Sequence, residues 1–350
     1  MARDRNSSSV DRKVRRQSGF QTSRGIRYVW PLALVLVLFG LSLGDFLADV
    51  LGSDDPVARL FGPVERMYRS FFNYFSSMPL WLAFGIAALF ALQVFFPVQK
   101  GTRGFSVFVR VDAIWTLFSL LFIPLLSPIF LAFLRGLYDS YFSFINISTT
   151  FQLSALSEIV VGYLLIDFLG WFHHFVRHKV PVFWEFHAVH HSQTNMNPFS
   201  NNRVHPMDWM TANTIKFLPA FFFANSLNVA LAYISIHRLL DHLNHSNVRT
   251  NLGPLRFFLV TPQSHRVHHS SMKELYDKNF GVSTSIWDHL FRTQHCDYEI
   301  YPPTGIPDRL YPMEVEGTKW VRGALSSWWL QLVYPFKVVF EKTLTRAPSI

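Results

Sequence analysis

SALSEIVVGYLLIDFLGWFHHFVRHKVPVFWEFHAVHH, residues 154–191, opens as an apolar run and closes in a crowd of histidines. Ser154 to Phe175 is long enough for one membrane crossing at roughly 20 residues per span, and its pattern is helical. It nevertheless carries Glu158 and Asp167, and a carboxylate in such a segment is costly enough that it usually has a task. His174 and His178 then stand i, i+4 on one helix face. Pro181 sits where a first-turn proline opens a second helix, which carries His187, His190 and His191 as HxxHH.

Upstream, three more charge-poor runs are read as crossings: Tyr28 to Leu51, Pro79 to Val98 and Ala113 to Leu134. Residues 1–27 are polar and basic, from Arg3 to Arg27, and read as a disordered arm that stays attached. The arm and the Lys100, Arg103, Arg110 connection are basic, whereas the 136–157 loop has no Lys or Arg, so both basic sides are assigned to the cytoplasm. Four crossings then return the chain to the cytoplasm near His173. Composition agrees with lipid as part of the solvent: 50% of residues are hydrophobic, 17% aromatic and only 16% charged, which excludes a disordered chain. The 32 basic and 23 acidic residues leave +9, but the cations form no aromatic-laced stripe, so nucleic acid is excluded as a partner. The one cysteine, Cys296, rules out a cysteine-built zinc or iron-sulfur site.

All 15 histidines lie between His173 and His295. A second HxxHH, His265, His268 and His269, repeats the first down to its neighbours, and Thr261-Pro262 supplies an N-cap and a first-turn proline ahead of it. Residues three and four apart share a helix face, so each box is expected to present its imidazoles to a common point. Neutral imidazole suits Zn, Cu, Fe and Ni, and the eight rings of the three boxes exceed what one ion takes, so two metals are implied. His245, one turn after Asp241, is a further ligand candidate. His242 is a weaker one, and His205 in Arg203-Val-His205-Pro206 is either a ligand or a group that orients one. The lone His237, His289 and His295 read as surface or hydrogen-bonded core residues. Trp209 to Ile236, as one helix about 42 Å long, is too short for two crossings, and one crossing would strand the boxes on opposite sides of the bilayer. A helical hairpin turning near Asn225-Ser226 is therefore expected.

At these residues the chain resembles the fatty acid hydroxylase and sterol desaturase superfamily of integral membrane, non-haem di-iron oxygenases. The matching pieces are Asp167 ahead of His174 and His178, Trp184-Glu-Phe-His187-Ala-Val-His190-His191-Ser192, Arg203-Val-His205-Pro206 and His245-Ser-Asn247. They continue with Thr261-Pro262 and His265-Arg-Val-His268-His269-Ser270, then Asn279-Phe-Gly281 and Trp287-Asp288. The resemblance implies two irons held by His174, His178, His187, His190, His191, His265, His268 and His269, with His245 added. Asp167, Asp241 and Asp288 would accept from imidazole N–H groups, and His205, His242 and Asn279 would be ligands or lie just behind them. It also implies O2 as co-substrate and a C–H bond of a membrane lipid, a sterol or fatty acyl chain, as the target, with hydroxylation or desaturation as outcome.

Electrons must come from a separate reductase, ferredoxin or cytochrome. The chain has no histidine before residue 173, no dinucleotide-binding glycine fingerprint and no cysteine set. The expected fold is all-α: about four transmembrane helices plus a hairpin, with a histidine-rich helical cap on the cytoplasmic face. The expected division is 1–27 arm, 28–153 crossings, 154–300 catalytic domain and 301–350 tail, in which Trp320 to Phe340 forms an amphipathic helix lying on the membrane. No sequence signal fixes an oligomeric state. Two other readings stay open on the residues alone: a membrane metal or haem transporter, and a di-zinc hydrolase.

Overall fold

The computed structural model describes residues 80–100, 107–223, 226–307, 311–312 and 320–344. Its longer helices are α1 (Leu80–Phe95), α2 (Val107–Leu137), α3 (Ala155–Lys179), α4 (Pro181–His191), α5 (Pro206–Phe217), α6 (Ser226–Asn244), α7 (Pro262–His268) and α8 (Trp320–Leu344). Among the described residues only isolated bridges, such as Leu259 with Thr284, interrupt this all-α architecture.

Helix α3 organises the rest. Ser154 caps it by accepting from the Ser157 N–H, and Glu158, Gly162, Ile166, Gly170 and His174 form its buried face at every fourth residue. Leu156, Val160 and Leu164 point outward, so the polar groups are inside and the apolar groups outside, the reverse of a helix that faces water. Among the described residues α3 is the one helix long and apolar enough to cross a membrane by length and composition. A glycine is needed at 170 because a Cβ there would come 2.6 Å from Val282 Cγ2, and the loop after α7 could not close on the helix.

The arm and the first expected crossing lie outside the described residues. The second expected crossing is a 16-residue helix, α1, which ends just before Pro97. The third falls within α2, which runs 31 residues and takes in Arg110 and Asp112. Between residues 206 and 244 the expected hairpin falls on α5 and α6, which both pack on α3, and its expected turn at Asn225 lies outside the described residues. Helix α8 is not held by a surface alone. Trp115 Nε1 on α2 donates to Gln331 Oε1 at 3.0 Å, Lys342 Nζ reaches Glu185 Oε1 on α4 at 2.5 Å, and Val339 packs with Val182 and Phe186. Its other side leaves Val321, Leu325, Trp329 and Phe340 exposed.

One buried polar knot fixes the segment that follows the first box. Asp112, fully buried, accepts from Arg203 Nε at 2.7 Å and from Asn197 Nδ2 at 2.6 Å, and Arg203 Nη1 donates to Ser192 Oγ at 3.0 Å. Ser192 directly follows His191, so the carboxylate of α2 sets the end of α4. A buried ion pair adds little stability by itself, but removing one partner strands the other at a cost of about 3–5 kcal/mol.

Candidate metal centre

Two groups of imidazoles meet where α3, α4, α6 and α7 converge. His174, His178, His187, His191 and His268 form one group, and His190, His245, His265 and His269 form the other; within each, every ligand nitrogen lies within 4.8 Å of the rest. The nine rings include all those expected from the three boxes, together with His245. The boxes are not shared out as expected, however. The first sends His187 and His191 to the group of five and His190 to the group of four; the second sends His265 and His269 to the four and His268 to the five. Helical geometry accounts for the split. At about 100° per residue, positions i and i+4 differ by roughly 40°, while i+3 lies roughly 100° from i+4, so one helix presents two directions. Each box therefore serves both centres, and the two arrangements are reciprocal.

The outer nitrogens of several rings are tied. His174 Nδ1 donates to the Phe280 carbonyl at 2.9 Å, His268 Nδ1 to the Lys278 carbonyl at 2.8 Å, and His187 Nδ1 to Asp208 Oδ2 at 3.0 Å. A proton placed on Nδ1 leaves the Nε2 lone pair free, and Nε2 of His174, His187 and His268 is buried with no partner. In the group of four, His245 Nδ1 donates to the Asp241 carbonyl at 2.8 Å, yet its Nε2 faces His190 Nε2 at 3.2 Å and His265 Nε2 at 2.9 Å. One lone pair cannot accept two hydrogen bonds. Two nitrogens held at right angles about 2.1 Å from one ion are about 3 Å apart, so these spacings, and the 3.1 Å between His178 and His191 Nε2, fit edges of a coordination shell.

Burial holds His178, His187, His190, His191, His265 and His269 well below the ordinary imidazole range, and for His178, His187 and His190 the Arg177 guanidinium pushes the same way. Burial brings His268 down to about 3. The rings are therefore neutral at physiological pH, the form that binds a metal. The donor set fits two ions of the imidazole-binding class: the orphaned Nε2 atoms of His174, His187 and His268 mark one place, and the Nε2 atoms of His190, His245, His265 and His269 crowded against one another mark the other.

The remaining expected residues are placed as follows. Asp241 reaches a ring, with Oδ1 3.2 Å from His245 Nδ1. Asp167 accepts from Thr284 Oγ1, Trp287 Nε1 and the Ser283 N–H, and no imidazole faces it. Asp288 accepts from the Phe280 and Gly281 N–H groups and from Trp171 Nε1, so it acts on His174 only through the Phe280 backbone. Both carboxylates pin the 280–293 loop to α3 instead of orienting a ring; the loop's backbone N–H and hydroxyl groups took the role expected of imidazoles. Gly281 folds around Asp288, since a Cβ there would lie 2.8 Å from Asp288 Oδ2. His205 accepts from the Met207 N–H at the start of α5 and reaches the Leu332 carbonyl at 3.0 Å, outside both groups. His242 Nδ1 meets the Pro198 carbonyl at 2.8 Å, and Asn279 Nδ2 donates to the Ser264 carbonyl at 2.8 Å. These three shape backbone.

Sequence reasoning missed Asp208, three residues beyond His205. Besides His187 it accepts two bonds from Arg177 Nη1, both at 2.9 Å. The signal available was a carboxylate in the first turn of a helix opened by His205-Pro206. Asp208→Asn is expected to weaken metal retention by roughly 10–100-fold, because it frees the His187 ring and strands Arg177. Metal content measured across a chelator series checks this; a wild-type curve would show that the contact is incidental.

Residues 159–293 match the family model described as fatty acid hydroxylase. This segment is a fatty acid hydroxylase domain. An ornithine lipid hydroxylase from Rhizobium tropici is 30% identical over 138 residues, covering 39% of this chain and 42% of that protein. The human alkylglycerol monooxygenase is 30% identical over 157 residues, 44% of this chain and 35% of that protein. A very-long-chain aldehyde decarbonylase from Oryza sativa subsp. japonica is 22% identical over 178 residues, 47% of this chain and 26% of that protein. The alignments therefore span less than half the length of the relatives. No solved structure matches the chain. The hydroxylase domain contains every ring of both groups, and it excludes α8, whose packing on α2 and α4 is additional to it.

Proposed function

We propose that the chain is an O2-dependent, di-iron membrane lipid hydroxylase, with His174, His178, His187, His191 and His268 holding one iron and His190, His245, His265 and His269 the other. The observation that carries the reading is the pair of buried imidazole groups built jointly by two HxxHH boxes inside a fatty acid hydroxylase domain. When bound, the irons supply O2 activation at a reduced metal pair, chemistry that side chains alone lack. The chain's own part is to hold the rings neutral by burial, to aim Nε2 inward through acceptors on Nδ1, and to exclude water from the centre. Five convergent imidazoles exceed the three protein ligands of a catalytic zinc, which favours iron over the di-zinc hydrolase.

The relatives named for an ornithine lipid and for alkylglycerol direct the substrate reading to a lipid, taken up along the apolar outer face of α3. In this reading, residues 28–153 carry the first three crossings, 154–300 form the catalytic domain, and four crossings plus the 206–244 hairpin bring the site to the cytoplasmic face. A separate reductase, ferredoxin or cytochrome delivers electrons there. Lipid extracts of cells with and without the gene, grown under 18O2, test it. A lipid 18 mass units heavier by one labelled hydroxyl supports hydroxylation, and a loss of two hydrogens without label points to desaturation. Extracts that stay identical, with purified protein binding zinc in place of iron, would sink the proposal.

A further inference from the structure

A cation inside a protein is stable when a carboxylate or a bound anion compensates it. Arg203 is fully buried against Asp112, and Arg177 is tied to Asp208. Arg266 breaks this pattern. It stands inside the second box, between His265 and His268, and is only 2% exposed. Its Nε donates to the Pro302 carbonyl at 3.0 Å, and its Nη1 is buried with no partner. Burial alone weighs on its charge; no carboxylate among the described residues lies close enough to offset it.

The surroundings are built to keep it there. Gln263 Nε2 holds the Asp297 and Ile300 carbonyls, the Ser271 N–H donates to the Pro303 carbonyl, and the Gly305 N–H donates to the His269 carbonyl. Segment 297–305 is thereby stitched over the helix that carries Arg266. One residue from Pro302, Tyr301 lies beneath the guanidinium of the exposed Arg249 at 4.9 Å, a contact that holds the segment from its outer side. Arg266 follows a ligand directly, but successive helix residues diverge by about 100°, and its guanidinium bonds the 297–305 segment instead of either imidazole group.

We infer that Arg266 binds a small phosphate-type oxyanion beneath the 297–305 segment, at a site separate from the metal pair. A guanidinium donates charge-assisted hydrogen bonds to such an anion, and Nη1 is the donor left over. The near-complete burial favours a small anion over an acidic side chain on a docking protein, which reads exposed charge. The oxyanion is free phosphate or the phosphate of a lipid headgroup, and the test separates these sources.

Thermal unfolding of the full-length protein in a neutral detergent is followed in chloride, in inorganic phosphate at equal ionic strength, and with short-chain phosphatidic acid or neutral diacylglycerol added. Wild type is expected to gain several degrees with phosphate or phosphatidic acid and none with diacylglycerol. A response to both assigns a general oxyanion site, and a response to phosphatidic acid alone assigns the headgroup. Arg266→Met is expected to keep the wild-type metal content, to lose the phosphate response, and to unfold at a higher temperature than wild type in chloride, because the uncompensated charge is gone. A wild-type protein indifferent to both ligands overturns the inference, even if the variant fails to fold. So does an Arg266→Met protein that responds as fully as wild type, which would place the anion on the metals.

Discussion

Replacing His268 by alanine is expected to empty the group of five and reduce turnover to background, while the group of four keeps its ion, so that metal content falls from about two per chain to about one. The expectation rests on placement. His174 and His178 come from α3, and His187 and His191 from α4; His268 is the one ring that α7 contributes to this group, and its Nε2 is buried without a partner. Without it the remaining four rings come from two helices adjacent in sequence, and α7 loses its bond to that centre. Loss of an outer partner alone costs roughly 10–100-fold in affinity, and loss of the ligand itself should cost more. His245→Ala is expected to give the mirror result, with the group of four emptied. His205→Ala, which removes a helix cap and the contact to Leu332, should lower stability but retain both ions. Metal analysis of the three purified variants, read beside product formation, makes the comparison. A His268→Ala protein that keeps two ions and turns over would defeat the assignment of the ligands.

How much of this was legible in the chain depends on how local the determining physics is. The helices that carry the boxes were readable because their signals are a few residues long: Pro181 opens α4, and Thr261 caps α7 by accepting from the Ser264 N–H while the Ser264 hydroxyl answers it. That His245 would join the boxes followed from its position a turn beyond Asp241. The division of each box between two centres was only half readable: the i, i+3, i+4 spacing sends one helix's rings in two directions, but which other rings they meet there depends on how the helices pack, and spacing within one helix does not give that. Asp167 and Asp288 were correctly suspected of having tasks but given the wrong partners. A carboxylate in an apolar helix announces that it needs donors, and the donors turned out to be a loop's N–H groups and hydroxyls more than a hundred residues away for Asp167. Asp112 drew no notice, since it lies in no motif that spacing could flag and its partner Arg203 is 91 residues distant.

Metal-stripped protein is expected to lose thermal stability steeply as pH falls below about 6.5, and metal-loaded protein much less. In the unfolded chain each imidazole takes up a proton near 6.5. In the folded, metal-free chain burial keeps His178, His187, His190, His191, His265 and His269 deprotonated far below that, and His268 down to about 3. Between those limits the unfolded state binds more protons, so stability is complete above pH 6.5 and drains away as pH drops. Each such ring costs about 1.4 kcal/mol per pH unit, and three of them would cost about 4 kcal/mol over one unit, against a typical total of about 5–15 kcal/mol. An ion bound only by the folded state opposes this in proportion to its affinity. His205, pulled down to about 4 by burial and not in either group, contributes to both forms, so the loaded protein should keep a shallow slope. Unfolding temperatures measured from pH 8 to pH 5 on both forms provide the comparison, and a flat profile for stripped protein would mean that the rings take up protons without unfolding and that the centre is less closed to water than its burial indicates.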